Sequence, residues 1–295
     1  MTTVSRCGTL AIVGRPNVGK STLLNKLVGQ KISITSKKPQ TTRHRVTGVL
    51  TAGECQYVFV DTPGFQTQHA GTLNRFMNRS VTQALAEVDV VICVIEAGRC
   101  GAADRAIFKL LPAGRPVLLV VSKIDRLADK TQLLPFLASI QNEHAFDEIL
   151  PLSAVSGHGV AELLKTAAGY LPESPAFFDE DEITDRSERF LAAELLREKL
   201  FRNLGEELPY GMAVEIERFE QEGALRRIFA AIIVDKEQHK AMVIGRGGEK
   251  LKAMSTDARR DMEQLFGGKV YLQTWVKVKS GWADDERALK SLGYE

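Results

Sequence analysis

Gly14-Arg15-Pro16-Asn17-Val18-Gly19-Lys20-Ser21 has the spacing G-x-x-x-x-G-K-[ST]. It follows the apolar, β-branched run Thr9–Gly14 and precedes a helical pattern that opens at Thr22. Strand, loop and helix in that order are the context in which such a loop wraps a polyphosphate. Its glycines let backbone N–H groups close on phosphate oxygens, Lys20 can neutralise the outer phosphates, and the Ser21 hydroxyl can hold Mg²⁺. This composition yields such a match by chance only about 0.01 times. The loop therefore predicts an α/β domain that binds a nucleotide.

Outward from the loop, residues 1–172 alternate short apolar runs with helical stretches, the pattern of βα units in a mostly parallel sheet. Strands are predicted at Thr9–Gly14, Val46–Thr51, Gln56–Val60, Val88–Ile95, Pro116–Val121 and Glu148–Leu152. The short turn Ala52-Gly53-Glu54-Cys55 predicts one antiparallel hairpin in this six-stranded sheet. Asp61-Thr62-Pro63-Gly64 ends the third strand, where the carboxylate can reach a Mg²⁺ shell and the Gly64 N–H a γ-phosphate. Ser122-Lys123-Ile124-Asp125 ends the fifth. An Asp there can accept from N1–H and N2–H₂ of guanine, donors that adenine lacks, so GTP is favoured over ATP. Ser153-Ala154 follows the sixth strand, where a backbone N–H can meet the guanine O6.

Two prolines and the acidic run Asp179–Glu182 make residues 173–186 a linker, read as a solvated hinge. Residues 187–295 then read as helix, two strands, a Gly-rich turn with a helix, a strand and a short terminal helix: a smaller α+β domain. Its turn, Gly245-Arg246-Gly247-Gly248, is a G-x-x-G, which alone means nothing, since about two are expected by chance. Between strands and a helix it resembles the loop of a type II KH fold, which clamps a nucleic-acid backbone. Arg246, Lys250 and Lys252 would then lie beside phosphates. Charge is uneven: residues 1–172 carry 19 Lys and Arg against 12 Asp and Glu, whereas residues 173–295 carry 20 against 25. The excess of base reappears at residues 236–279, with 10 against 5, which is what a local backbone clamp needs.

Phosphate loop, threonine switch, D-x-P-G, K-x-D and S-A in this order resemble a GTPase of the translation-factor class. Together with the switch Gln40-Thr41-Thr42-Arg43-His44-Arg45 and the tail from Lys277 to Arg287, the chain is similar end to end to the Era family of bacterial GTPases with a C-terminal KH domain. The resemblance implies a nucleotide site of Gly14 to Thr22, Asp61 to Phe65, Ser122 to Asp125, Ser153 and Ala154. It implies catalytic roles for Lys20, Thr42, Asp61 and Gly64, and Mg²⁺ on Ser21, Thr42 and, through water, Asp61. It implies K⁺ on the loop residue Asn17, which would supply transition-state charge that an arginine finger provides elsewhere. Its ligand would be 16S rRNA near the 3′ end, its process 30S subunit assembly, and its place the cytoplasm with peripheral attachment to the inner membrane; a monomer is expected. Two positions depart from familiar patterns. Ser122 stands for the usual asparagine of N-K-x-D, which puts affinity in doubt. Phe65 follows D-x-P-G where Ras-like GTPases place a water-orienting Gln, so slow intrinsic turnover is expected.

The remaining composition narrows the alternatives. At 295 residues, 44% hydrophobic and 26% charged, the chain has a globular composition, and its apolar runs fall far short of a membrane span. The segment MTTVSRCG has no apolar signal core. Cys7, Cys55, Cys93 and Cys100 lack metal-ligand spacing and read as reduced, packed thiols. A GTPase subunit of an RNA-modifying enzyme is the alternative, but no nucleophilic-Cys motif, metal cluster or second cofactor fingerprint supports it. An ATP-dependent kinase is opposed by Asp125.

Overall fold

Runs of Val, Ile and Leu that are apolar at every position cannot lie on a half-wetted sheet, so they form strands buried on both faces. In the computed structural model, which describes residues 4–66, 71–205 and 208–294, such runs form the inner part of one sheet whose edge strands carry polar and partly exposed positions; its strands number six. They are β1 (Arg6–Val13), β2 (Val46–Ala52), β3 (Cys55–Asp61), β4 (Val90–Glu96), β5 (Val117–Ser122) and β6 (Glu148–Pro151), in the order β2-β3-β1-β4-β5-β6. The pair β2 and β3 is the antiparallel hairpin; the other pairings are parallel. The connections between strands carry α1 (Lys20–Val28), α2 (Thr72–Glu87), α3 (Ala102–Phe108) and α4 (Leu133–Ile140), and α5 (Val160–Ala168) follows β6. β1 starts three residues before the apolar run, because Arg6-Cys7-Gly8 pair in register with Cys55-Gln56-Tyr57 whatever their polarity. All four cysteines are free thiols.

Residues 173–185 cluster with this first unit. The acidic residues 179–182 are exposed, as their charge demands, but the backbone around them is held. The Ile183 carbonyl accepts from Val49 N–H at 2.9 Å, and the Gln56 side chain accepts from the N–H groups of Phe177 and Phe178 at 2.7 and 3.0 Å. A buried Gln outweighs the local preference for a solvated chain, since its carbonyl must find donors.

The second unit comprises residues 186–295 with the short stretches 34–41 and 71–73. Its elements are α6 (Glu188–Asn203), β7 (Met212–Glu222), β8 (Leu225–Val234), α7 (Glu237–Ile244), α8 (Glu249–Phe266), β9 (Lys269–Val278) and α9 (Glu286–Ser291). The sheet order is β7-β8-β9, the first pair antiparallel and the second parallel. Leu195, Leu196 and Leu200 of α6 and Met254, Ala258 and Met262 of α8 pack with Ile228 and Ile232 of β8 in one core. α7 is absent from the sequence reading: Glu-Gln-His-Lys-Ala-Met-Val-Ile has no apolar period to announce a helix.

Helix α6 also departs from a simple amphipathic pattern. Glu194, Arg197 and Glu198 on its polar side are buried, because residues 34–41 lie along it within the same unit. Thr35 N–H donates to Glu198 at 2.9 Å, Arg202 Nε donates to the Thr35 carbonyl at 3.1 Å, and Lys38 Nζ donates to the Phe201 carbonyl at 2.7 Å. Arg197 reaches the Thr41 carbonyl and holds Glu194 through two bonds of 2.7 Å.

Candidate functional site

The chain leaves β1 into Gly14 to Gly19 and turns into α1 at Lys20, so the loop is stretched between a strand end and a helix start. Lys20 is buried and folded back on the loop, its ammonium donating to the carbonyls of Gly14 and Arg15 at 3.0 and 3.1 Å. Burial pushes this ammonium down to about 8, against the pull of Asp61. Asp61, at the end of the neighbouring β3, is fully buried. Burial holds its carboxyl above the usual range, opposed by Lys20 and by the hydroxyls of Ser21, Ser33 and Thr42. Those hydroxyls converge on one oxygen, Oδ2: Ser21 at 2.7 Å, Ser33 at 2.9 Å and Thr42 at 3.5 Å. Ser21 and Thr42 are themselves 2.7 Å apart.

The other oxygen, Oδ1, is buried and has no hydrogen-bond partner. A buried carboxylate oxygen left alone is costly, and a carboxylate with two adjacent hydroxyls is an all-oxygen donor set suited to Mg²⁺. The residues present thus fit the ion. The structure brings Lys20, Ser21, Thr42 and Asp61 together, whereas Thr41 turns away and donates to the Lys38 carbonyl at 2.7 Å. Ser33 is an addition: it lies in a loop without a motif, and only folding places it on Asp61.

Gly64 sits hard against the loop. A Cβ there would lie 2.7 Å from the Cα, N and Cγ of Pro16, so the close approach of D-x-P-G to the phosphate loop requires glycine. Thr62 secures the turn through its hydroxyl on the Ile12 carbonyl at 2.8 Å, and Pro63 is buried beside it. Phe65 donates its N–H to the Gly14 carbonyl at 3.3 Å and packs its ring on the apolar core, so it offers no group to orient water. Asn17 has a left-handed backbone, and its carbonyl accepts Lys123 Nζ at 2.5 Å.

The Ser122–Asp125 loop, expected from the sequence to read guanine, follows β5. Ser122 is buried, and its Oγ lies 2.6 Å from the Val18 carbonyl and 2.8 Å from that of Ile95. The shorter side chain therefore reaches the phosphate loop as an amide would, but a hydroxyl has one hydrogen for two carbonyls. Lys123 is left-handed, and Asp125 is exposed on the following 3-10 turn Ile124–Arg126. Ile124 N–H bonds the Leu152 carbonyl at 3.4 Å, joining this loop to the strand end before Ser153-Ala154. Ser153 N–H is committed to the His158 carbonyl at 3.0 Å, so of the pair Ala154 is left to offer its amide to a base oxygen.

In the second unit the loop Gly245–Gly248 lies between α7 and α8. A Cβ at Gly245 would meet the Cβ of Lys250 at 2.6 Å, and Gly248, with φ of 81°, caps the start of α8. Arg246, Gly247 and Lys252 are exposed and Lys250 is half-buried, beside N–H groups of a helix start suited to phosphate. Met242, at the end of α7 and 54% exposed, adds an apolar surface that the sequence reading missed. Of the two tryptophans, both able in principle to stack on bases, Trp282 is 1% exposed and donates Nε1–H to the Gly211 carbonyl at 3.1 Å, so it belongs to the core. Trp275 is half-buried with the Lys277 ammonium 5.9 Å from its ring.

Comparison with known proteins matches residues 9–123 to a family described as 50S ribosome-binding GTPase and residues 207–283 to the KH domain. GTPase Era of Nitrosomonas eutropha is 59% identical over 98% of both chains. GTPase Era of Chromobacterium violaceum is 60% identical with the same coverage. Among solved structures, Era in complex with MgGDPNP and nucleotides 1506–1542 of 16S ribosomal RNA is similar with a TM-score of 0.95 and 39% identity, covering 98% of this chain and 99% of that one. A variant of Aquifex aeolicus Era bound to GDP·AlF4⁻ gives 0.94 and 40%, with the same coverage. At 59 and 60% identity over nearly the whole of both chains, with a GTPase and a KH family model matched in this order, this chain belongs to the Era family of GTPases.

Proposed function

We propose that this GTPase binds the 3′-terminal region of 16S rRNA through its KH loop and assists assembly of the 30S subunit, with GTP as the gate. What carries the reading is the likeness, over nearly the whole chain, to Era bound to that RNA and a GTP analogue, joined to a basic G-x-x-G loop at a helix start. Residues 1–172 carry the nucleotide, 173–186 join the parts, and 187–295 carry the RNA. GTP is held by Asp125 and Ala154 at the base and by Gly14 to Ser21 at the phosphates. Mg²⁺, when bound, neutralises charge on the β- and γ-phosphates. Ser21, Thr42 and Asp61 would hold it; Lys20 swings from its carbonyl partners to the phosphates, and the Gly64 N–H meets the γ-phosphate.

Thr42 follows directly on the stretch 34–41 that lies along α6, so a γ-phosphate that recruits Thr42 strains or releases that stretch. This is the element through which nucleotide state would reach the RNA-binding part. K⁺ at Asn17 would supply transition-state charge; turnover equal in K⁺ and Na⁺ at matched ionic strength would refute that role. Residence is proposed in the cytoplasm, with peripheral attachment to the inner membrane; among the described residues no helix is long and apolar enough to cross a membrane.

The test is in-cell UV crosslinking with sequencing of attached RNA, on the parent and on Gly247→Asp/Gly248→Asp. A peak near the 16S 3′ end that is lost in the variant is expected. No peak, or one indifferent to the loop, refutes the assignment. Nucleotide dependence of RNA binding that survives Lys20→Ala refutes the gate.

A further inference from the structure

The two loops that read a nucleotide's phosphates and its base leave strands that do not touch: in the sheet order, β4 separates β1 from β5. The last residue of β4 is Glu96, paired in register with Ser122 at the end of β5. Its carboxylate oxygen Oε2 accepts from both sides: Arg15 of the phosphate loop at 3.3 Å and Lys123 of the guanine loop at 3.1 Å. Arg15 is braced further by Nε on Asp104 at 3.1 Å. Asp104 is 2% exposed, and its other oxygen caps Gly101 N–H at the start of α3 at 3.0 Å. Two carboxylates thus meet two cations, and the side chains of Arg15, Glu96 and Lys123 are only about a fifth exposed.

The connections reach the nucleotide-facing groups. The Arg15 carbonyl is one of the two that hold Lys20 Nζ, and Lys123 Nζ also lies on the Asn17 carbonyl. Arg15 is itself a residue of the phosphate loop, so a shift of its braced side chain is passed to that loop whether or not Lys20 has moved to the phosphates. Shifting Lys123 moves the residue two before Asp125. Charge-assisted bonds in a poorly solvated cluster are the stronger kind, and their directionality fixes separation as well as energy. Ser122, with one hydrogen for two carbonyls, supplies a weaker second tie across the same gap.

We propose that Glu96 is a positioning residue: it sets the distance between the phosphate loop and the guanine loop, so that base and phosphates are held as one unit. The proposal rests on the reading of Asp125 and Lys20 as nucleotide-binding groups, and goes beyond it by assigning a residue that touches neither base nor phosphate.

Glu96→Gln keeps the shape and removes the charge. Release of a fluorescent GDP from the full-length protein, followed by stopped flow, is expected to be about tenfold faster, from loss of two charge-assisted bonds. The KM for GTP should rise by a similar factor while kcat changes less than about twofold, since no interaction specific to the transition state is removed. Arg15→Gln should also speed release, and in the Glu96→Gln background it should add less than it does alone, because the bond between these two side chains can be lost only once; what remains is its bond to Asp104.

GDP release within about twofold of the parent, or factors for the two variants that multiply fully, would overturn the proposal. Some fall in the thermal midpoint of the nucleotide-free variant is expected from the lost ion pairs; equally fast release in a control variant of the same thermal midpoint, altered away from both loops, would also overturn the proposal, since Glu96 would then be merely structural. Lys20→Ala, measured alongside, separates the two levels: unaltered GDP binding there would sink the nucleotide-site reading itself.

Discussion

Asp61 shows how one residue's chemistry follows from its surroundings. Its Oδ2 collects three hydroxyls while Oδ1 is buried without a partner, an arrangement poised for a divalent ion. Ser122 is the complementary case, a donor with one hydrogen and two buried carbonyls within reach. Ser122→Ala removes the hydroxyl that ties the Val18 and Ile95 carbonyls and should cost about 1–3 kcal/mol of nucleotide-free stability in urea unfolding. Glu96 supplies a pH dependence. Burial raises its pKa, but the bond from Lys123 and the charges of Lys123, Arg15 and Arg99 together hold it below the usual carboxylate range. A depressed folded-state pKa means the unfolded chain binds the proton more readily, so the stabilisation is complete above the ordinary value and is lost as pH falls below it. Acid titration of the nucleotide-free protein should therefore show part of its stability lost at pH below about 4.5, and Glu96→Gln should lack that part.

At the scale of elements, the site depends on how closely loops from different strands approach. Gly64→Ala would drive a Cβ to 2.7 Å from the Pro16 ring and backbone and push the D-x-P-G turn off the phosphate loop. GTP turnover should fall by about 10²–10³, the usual loss when one amide donor to developing charge is displaced, while GDP affinity changes far less. Single-turnover hydrolysis and GDP titration separate the two. Helix α6 makes a similar point about packing. Its Glu194 and Arg197 form a buried pair, so Glu194→Ala removes the carboxylate that balances a buried guanidinium. Loss of about 3–5 kcal/mol is expected for the unit that contains α6, read by denaturant unfolding. The helical period at residues 187–201 was legible, but not that its charged face is covered, because residues 34–41 lie some 150 positions earlier.

For the whole molecule, charge is uneven along the chain. The basic excess at residues 236–279 surrounds the Gly245–Gly248 loop, while the rest of the second half is acidic. Binding of a single-stranded 16S 3′-end oligonucleotide should weaken with salt, and Arg246→Glu should reduce the slope of log K against log salt by about 0.7 for each phosphate that is no longer neutralised.

The sequence by itself determined the fold class, the order of the motifs and the family, since short-range spacing and period encode strands, the phosphate loop and the G-x-x-G turn. Glycines at Gly14, Gly64 and Gly248 and the carboxylates Asp61 and Asp125 could be picked out because their chemistry is tied to position within a motif. Tertiary structure decided what no local pattern contains. Ser33 meets Asp61, Glu96 bridges Arg15 and Lys123, and Phe177 and Phe178, just before the acidic run, are tied down by Gln56. It also seats Trp282 in the core and adds α7, which lacks an amphipathic period. For the polar contacts the physical reason is shared: buried polar groups must find partners, and which partners are in reach is set by the fold rather than by distance along the chain.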